Sequence, residues 1–359
     1  MSNMPPKNPK QKRNVQKGAK PSTKGTSKIE PRSGNTQVPT EIQQSLLTVF
    51  NASFRDRLES DIHPLLQEVK GHLYRRDFEA AFGKEEYLEA YAARWTPSRA
   101  LGYLEVFADL QAHIGQAPTN DLTRLDEPPI LRIACIGGGA GAEVVALAGF
   151  LNYTSQRGPG DASGDDGRMH VDVIDVADWA RVIEKLERNV TTAPELSKYA
   201  SAAARAASAP LVDTSTFSVK AHQLDVIHQD FSAKLKSLLE GVGFVTVMFT
   251  LNELYSTSVP LTQKFLLNLT ASLKEGALLL VADSPGSYST VTPNGAQKKY
   301  PIQWLLDHTL LREGDKGESA AWTKVVEDES RWFRIPSGLK YPIELENMRF
   351  QLHLYRRGV

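Results

Sequence analysis

Hydrophobic positions along the chain keep one rhythm up to about residue 117 and another from residue 130 on. Ile42, Leu46, Leu47 and Phe50 recur at the spacing of a helix with one apolar face, and Thr40 stands where an N-cap would. The same rhythm predicts helices over Phe54–Val69, Leu73–Phe82 and Tyr87–Arg94, and another from about Pro97 to His113. Thr96 is placed to cap the last of these, with Pro97 at its first position, where a missing N–H costs nothing. The stretch "APTNDLTRLDEPP" (117–129) then reads as a polar connector.

From Ile130 short apolar runs alternate with amphipathic stretches. Strands are predicted over Ile130–Ile136, His170–Asp175, Phe217–Val226, Gly243–Leu251 and Gly276–Asp283, with a closing strand over Arg349–Arg357. Helices are predicted over Glu143–Leu151, 177–190 and 259–273. Strands that alternate with helices imply an α/β fold, a mostly parallel sheet wound on both faces. Trp322–Val326 and Trp332–Ile335 carry shorter strand patterns. The turn-rich stretch 154–168 reads as a surface loop and the Ala/Ser-rich stretch 199–210 as a low-complexity excursion. Segment 287–320 is longer than a crossover needs and reads as a partial lid over the sheet edge.

Composition narrows the class. The 359 residues are 41% hydrophobic and 23% charged, ordinary for a soluble globular protein. No apolar run is long enough to predict a membrane span, and the N-terminus lacks the apolar core of a secretory signal. The single cysteine, Cys135, excludes an intramolecular disulfide and any Cys-rich metal site, and it fits a reducing compartment. Its place in an apolar strand predicts a small buried hydrophobe. The net charge of zero hides an asymmetry. Residues 1–32 carry nine Lys/Arg against Glu30 alone, so this tail is strongly basic and the remainder acidic. Without an aromatic residue before Phe50 it cannot bury enough surface to fold alone. It reads as a nuclear or nucleolar address or an arm for RNA phosphates. The expected organisation is a basic tail over 1–40, an N-terminal helical layer over 41–120 and a ligand-binding domain over 121–359.

The sharpest signal is "CIGGGAGAE" (135–143), with glycines closing an apolar strand. Gly137, Gly139 and Ala142 match the G-x-G-x-x-G/A fingerprint of dinucleotide binding. Gly137, Gly139 and Gly141 equally match the G-x-G-x-G loop of S-adenosylmethionine (SAM)-dependent methyltransferases. A purely structural tight turn is the third reading. Asp175 ends the second strand, where a carboxylate can accept both ribose hydroxyls in either enzyme class. Asp225 follows the third strand and Asn252 and Glu253 follow the fourth. Polar groups after four successive strands favour the methyltransferase, where they contact the adenine amine and line the gap between donor and acceptor. Simpler roles exist for some of these acids: Asp172 as a solvent-side or capping residue, Asp178 as a helix N-cap, Asp225 as a turn former.

Four stretches carry a family resemblance: "YAARWTPSRALGYLEVFADL" (91–110), "IACIGGGAGAEV" (133–144), "MFTLNELYSTS" (248–258) and "LLVADSPGSYSTV" (279–291). Together the chain resembles, over about 42–357, the fungal Rossmann-like methyltransferases that modify 25S ribosomal RNA, in the branch assigned to uracil N3. The resemblance implies a class I SAM-dependent methyltransferase fold, with a mostly parallel seven-stranded sheet, an antiparallel last strand and an N-terminal helical layer. SAM would be the cofactor and ribosomal RNA or a pre-ribosomal particle the partner, with no metal and no membrane. The location would be nucleus or nucleolus, with the cytoplasm also open.

On that reading Gly137, Gly139, Gly141, Asp175 and Asp225 bind the cofactor and Arg94 reaches its carboxylate. Arg99 would meet RNA phosphate. Glu253 is the candidate base for the N3 proton and Asn252 fixes the ring, while Thr250 points back into the fold. A carboxylate that caps the next helix or pairs with an arginine is the plainer role for Glu253. N3 lies on the Watson–Crick edge, so the uracil must be unpaired or flipped. Tyr255, Tyr288 and Tyr300 are candidates to stack on it, and Lys298 and Lys299 to meet RNA, with packing and solvation as the plainer roles. Trp95 reads as a core anchor. Three other functions stay in view: an assembly factor that binds SAM or RNA without catalysis, a methyltransferase of a non-RNA substrate, and a nicotinamide dehydrogenase.

Overall fold

The first strand, β1 (Ile130–Ile136), lies mid-sheet in a computed structural model that describes residues 38–119, 129–156, 167–195, 201, 208–228, 233–291, 298–312 and 320–358. It pairs in parallel with β2 (Arg168–Asp175) on one side and β4 (Phe244–Met248) on the other. Strand β3 (Phe217–Gln223) extends the sheet beyond β2, and β5 (Leu278–Asp283) extends it beyond β4, both in parallel. The last strand, β9 (Met348–Arg357), runs antiparallel to β5, and β8 (Trp322–Phe333) pairs antiparallel with β9 at the edge. The order is β3-β2-β1-β4-β5-β9-β8, seven strands closed by an antiparallel one, as the sequence predicted. The chain order reverses between β1 and β4. That switch point places a crevice at the carboxyl ends of these two strands.

Before the sheet come α1 (Thr40–Ser53), α2 (Arg55–Glu59), α3 (His63–Tyr74), α4 (Phe78–Phe82), α5 (Glu85–Asp109) and α6 (Gln111–Ile114). Several predicted boundaries move, each for a local reason. Thr40 is the first helical residue of α1, with Pro39 before it and no side-chain cap. The predicted helix 54–69 breaks near residue 60, where Ser60 Oγ donates to Arg57 O at 2.9 Å and Asp61 accepts the His63 N–H at 3.2 Å. Such local bonds compete with the helical ladder. The predicted helices on either side of Thr96 are one: α5 runs through Pro97, and Thr96 is buried inside it. Proline leaves the carbonyl four residues back without its usual donor. Here that carbonyl, Ala93 O, accepts the Tyr341 hydroxyl at 2.7 Å, so the helix continues.

The remaining helices are α7 (Ala142–Ser155), α8 (Ala180–Thr191), α9 (Ala233–Leu239), α10 (Leu251–Thr257), α11 (Val259–Ser272) and α12 (Ile302–Leu310). A hairpin of β6 (Tyr288–Val291) and β7 (Lys298–Pro301) precedes α12. This is what the described part of 287–320 holds. One face of the sheet buries a core with α1, α5, α7 and α8, including Phe50, Tyr103, Phe107 and Leu186. The other buries Tyr255, Phe265, Leu306 and Tyr355 with α9 to α12. At about 2–3 kcal/mol for each large apolar side chain removed from water, these two layers hold the sheet. Buried Glu89 on α5 accepts Arg57 at 2.7 Å and pairs with Lys185, which ties α2, α5 and α8 together.

Three strand predictions change. The third ends at Gln223, and the Leu224 N–H makes its last bond to β2, to Asp175 O at 2.7 Å. The fourth ends at Met248 because Phe249 takes φ +57°. The two short patterns near 322 and 332 form one strand, β8, with two register shifts against β9. Asp172, expected at solvent or as a cap, is buried on β2. Its carboxylate accepts Arg132 Nη2 at 2.7 Å and faces His222 at 2.8 Å and His170 at 3.5 Å. Burial opposes its charge, yet these neighbours hold the carboxyl well below its ordinary range. Asp178 does accept an amide of the first turn of α8, Ala180 N–H at 3.2 Å. Cys135 is fully buried, as its strand predicted. The stretch 1–37 and much of 154–168 and 199–210 lie outside the described residues. Among the described residues no helix is long and apolar enough to cross a membrane.

Candidate active site

The glycine turn follows β1 at the switch point. Gly137 has φ +72° and donates its N–H to Ile174 O at 2.8 Å. A β-carbon there would lie 2.3 Å from Thr250 Oγ1, so both the conformation and the space require glycine. At Gly139 the constraint is closeness alone: a β-carbon would meet Trp179 Cδ1 at 1.9 Å. Gly141 precedes α7 with φ +83° and opens its first turn. The turn thus presents bare backbone at a helix N-terminus.

Asp175 stands at the tip of β2. One oxygen accepts the Gly139 N–H at 3.1 Å and the other the Ala177 N–H at 3.0 Å, so the carboxylate is fixed against the loop. Burial pushes its pKa up and these amides pull it back, with a net rise. Trp179 covers Gly139 and packs on Phe82 and Tyr91, at centroid distances of 5.4 and 5.9 Å.

Glu143 lies against the loop at Gly138, and Arg99 is close enough to feel its charge. Glu143, in the first turn of α7, is 3% exposed, and its Oε1 has no hydrogen-bond partner among the described residues. Burial pushes its pKa up to about 7, against the partial relief given by its own amide and Arg99. Arg99 of α5 donates to the Tyr91 hydroxyl at 2.6 Å and stacks on the Phe249 ring at 5.6 Å. Burial works against its charge, but Tyr91, Tyr103 and Glu143 around it keep it protonated. Phe249, whose left-handed backbone turns the chain at the end of β4, is tied by its N–H to Ala282 O at 2.7 Å. A non-glycine residue in that region costs about 1–2 kcal/mol, and such residues cluster at functional sites.

Thr250 packs its side chain on Gly137, as expected of a residue pointing back into the fold. Asn252 follows, with its N–H on Asp283 Oδ2 at 2.9 Å. Glu253, in the first turn of α10, forms an ion pair with Arg76 from the turn between α3 and α4. Both side chains remain partly exposed, at 39% and 54%.

Gly137, Gly139, Gly141, Asp175, Asn252 and Glu253 thus all lie at the carboxyl ends of β1, β2 and β4. Two expected ligands are otherwise engaged. Arg94 pairs with Glu346 and donates to Glu344 O at 3.1 Å, while Arg99, five residues further along α5, is the arginine that Glu143 feels. Asp225 spends its oxygens on its own turn, accepting Ile227 and His228 N–H at 3.0 and 3.1 Å and facing the His228 ring at 2.8 Å. Tyr255 is buried in the core, Tyr300 stacks on Trp304 at 4.8 Å, and Tyr288 is exposed. Lys299 is exposed, and the Lys298 side chain lies outside the description. Trp95 is half-buried against Tyr91, at a centroid distance of 5.0 Å. Glu143, Phe249 and Asp283 went unassigned in the sequence. For Glu143 the signal was there, a carboxylate two residues past the last glycine. Among the described residues no three His, Cys, Asp or Glu side chains are arranged to hold a metal.

A family of SAM-dependent methyltransferases matches residues 50–356. The chain is 34% identical over 330 residues to a 25S rRNA (uridine(2843)-N(3))-methyltransferase of Saccharomyces cerevisiae, covering 87% of this chain and 85% of that protein. Among solved structures it is similar to the N-methyltransferase NodS of Bradyrhizobium japonicum, with TM-score 0.36, 12% identity, and 73% and 98% of the two chains covered. It is also similar to a SAM-dependent methyltransferase of Methanosarcina mazei, with TM-score 0.34, 12% identity and 64% and 92% covered. Both structural likenesses are loose, and the assignment rests on the two sequence matches. By them, this chain belongs to the SAM-dependent methyltransferases.

Proposed function

We propose that the protein transfers a methyl group from SAM to N3 of a uridine in large-subunit (25S) ribosomal RNA. The crevice suits the cofactor. Its methionine end carries an ammonium and a carboxylate, and Glu143 and Arg99 offer one complementary charge to each. The unpartnered oxygen of Glu143 is what carries this fit. Asp175 is the acceptor for the ribose hydroxyls, and the glycine turn lets the backbone come close. Helices α1 to α6 are read as a layer that walls this side of the site.

When bound, SAM supplies a methyl group already activated on a sulfonium. The protein's task is to place the uracil and take its proton. Asn252 is positioned to hold the ring edge, and the Glu253 carboxylate to accept the N3 proton. That role requires the carboxylate to exchange Arg76 for the N3–H, which the exposure of the pair permits. The N3 lone pair freed by Glu253 would then face the methyl group that bound SAM would supply. The 34% identity to the yeast enzyme supports the RNA substrate. The basic stretch 1–32 suits that substrate and a nucleolar site of action.

The test incubates the full chain and methyl-labelled SAM with large-subunit rRNA and with pre-ribosomal particles, followed by nucleoside analysis. Labelled 3-methyluridine is expected. Binding of S-adenosylhomocysteine with no transfer to either substrate would leave an assembly factor that has kept the fold.

A further inference from the structure

We propose that Trp332, Arg334 and Arg349 form a landing surface for the single-stranded RNA that flanks the target base, an inference that rests on RNA being the substrate. Trp332 is the last residue but one of β8 and is 49% exposed, among the largest exposed apolar side chains described. Arg349 of β9 is its register partner, with its guanidinium carbon 5.7 Å from the indole centroid. Arg334, two residues along, lies 4.3 Å from the same ring. Among the described residues neither guanidinium has a carboxylate within ion-pair distance. Their neighbour Arg331 differs: it is paired with Glu105 and Asp109.

The position follows from sheet register. Asp283 of β5, which holds Asn252, pairs with Gln351 of β9. Gln351 donates to Ser284 O at 3.1 Å, just past the tip of β5. Arg349 lies on the same face two residues toward that end, and Trp332 is opposite it on β8. Counted from β4, which leads into Asn252 and Glu253, Arg349 is therefore two strands and Trp332 three strands across, about 10 and 14 Å, at the same end of the sheet. An edge strand needs a charge to discourage pairing with other chains. It does not need a half-exposed indole between two guanidiniums that, among the described residues, have no carboxylate partner, Arg349 donating only to Ser330 Oγ at 2.9 Å. Indole and guanidinium planes both stack on nucleobases, and a free guanidinium also takes a phosphate. This chemistry reads no sequence and suits RNA leading away from a flipped base.

The test measures binding of the full chain to deproteinised large-subunit rRNA at about 0.2 M salt, where purely polyelectrolyte contacts are weakened. Trp332→Ala should lose about tenfold in affinity, and Trp332→Phe, which keeps a stacking face, should stay within about threefold of wild type. Arg334→Ala with Arg349→Ala should lower the salt slope by about 2. All variants should bind S-adenosylhomocysteine as the wild type does. Wild-type RNA affinity in Trp332→Ala overturns the proposal, as does an equal loss in Trp332→Phe. A wild-type chain that binds the cofactor product but no RNA removes the substrate reading itself.

Discussion

The Asp283 carboxylate accepts the backbone N–H of Asn252 at 2.9 Å and that of Ser284 at 2.7 Å, so the tip of β5 holds the start of α10. Burial pushes the pKa of this carboxyl up, and the two amides pull it back. Asp283→Ala leaves both amides without an acceptor and should cost about 3 kcal/mol in stability. Asp283→Asn keeps an oxygen for one of them and should recover part of the loss. Urea denaturation of both variants measures this. An alanine variant as stable as wild type would remove the tie.

Glu143 gives a pH signature. Its folded pKa of about 7 lies above the ordinary 4.5. Between those values the native state keeps a proton that the unfolded chain releases, so stability falls as pH rises through this window. Glu143→Gln removes that penalty. Its Tm should match wild type in acid and exceed it above pH 7, by up to about 3 kcal/mol in stability. Its affinity for S-adenosylhomocysteine should fall about tenfold, since the ammonium loses its counter-charge and keeps only a neutral amide oxygen. A Tm that parallels wild type at every pH would count against an unpaired carboxylate.

Cofactor binding should separate two arginines that lie five positions apart on α5. Arg99→Met should weaken S-adenosylhomocysteine about tenfold, and Asp175→Ala at least as much. Arg94→Met should leave it unchanged, because that guanidinium is spent on Glu346. Calorimetric titration decides, and loss in the Arg94 variant with retention in the Arg99 variant would reverse the assignment.

Tyr341 and Pro97 should be coupled. Tyr341→Phe leaves Ala93 O without a donor and should cost about 1 kcal/mol. In a Pro97→Ala background the new amide can serve that carbonyl, so the same substitution should cost less. A double-mutant cycle with no coupling energy would show that the hydroxyl does not replace the missing amide.

The sheet was legible because its strands are short apolar runs ending in turn-forming or acidic residues, as at Ile136 and Asp175. The glycine turn was legible because few other arrangements need Gly137, Gly139 and Gly141 so close together. Misreadings arose where a distant residue replaced a local signal. Pro97 marks a helix start unless a tyrosine 244 positions away supplies the bond. Asp172 reads as a surface acid unless Arg132 and His222 arrive from neighbouring strands. Arg94 and Arg99 share a helix, and which of them meets the loop depends on the chain at 344–346. Phe249 carried no warning, since nothing local forecasts a left-handed phenylalanine.

Thr250 fills the space that a side chain at Gly137 would need. On the proposed function, the glycine turn and the segment after β4 thus share one wall between donor and acceptor. A ligand that fixes one side of that contact should therefore alter affinity on the other, so donor and acceptor binding should be coupled. Thermodynamic linkage makes the effect mutual: whatever factor the donor adds to acceptor affinity, the acceptor returns in slower donor loss or tighter donor binding.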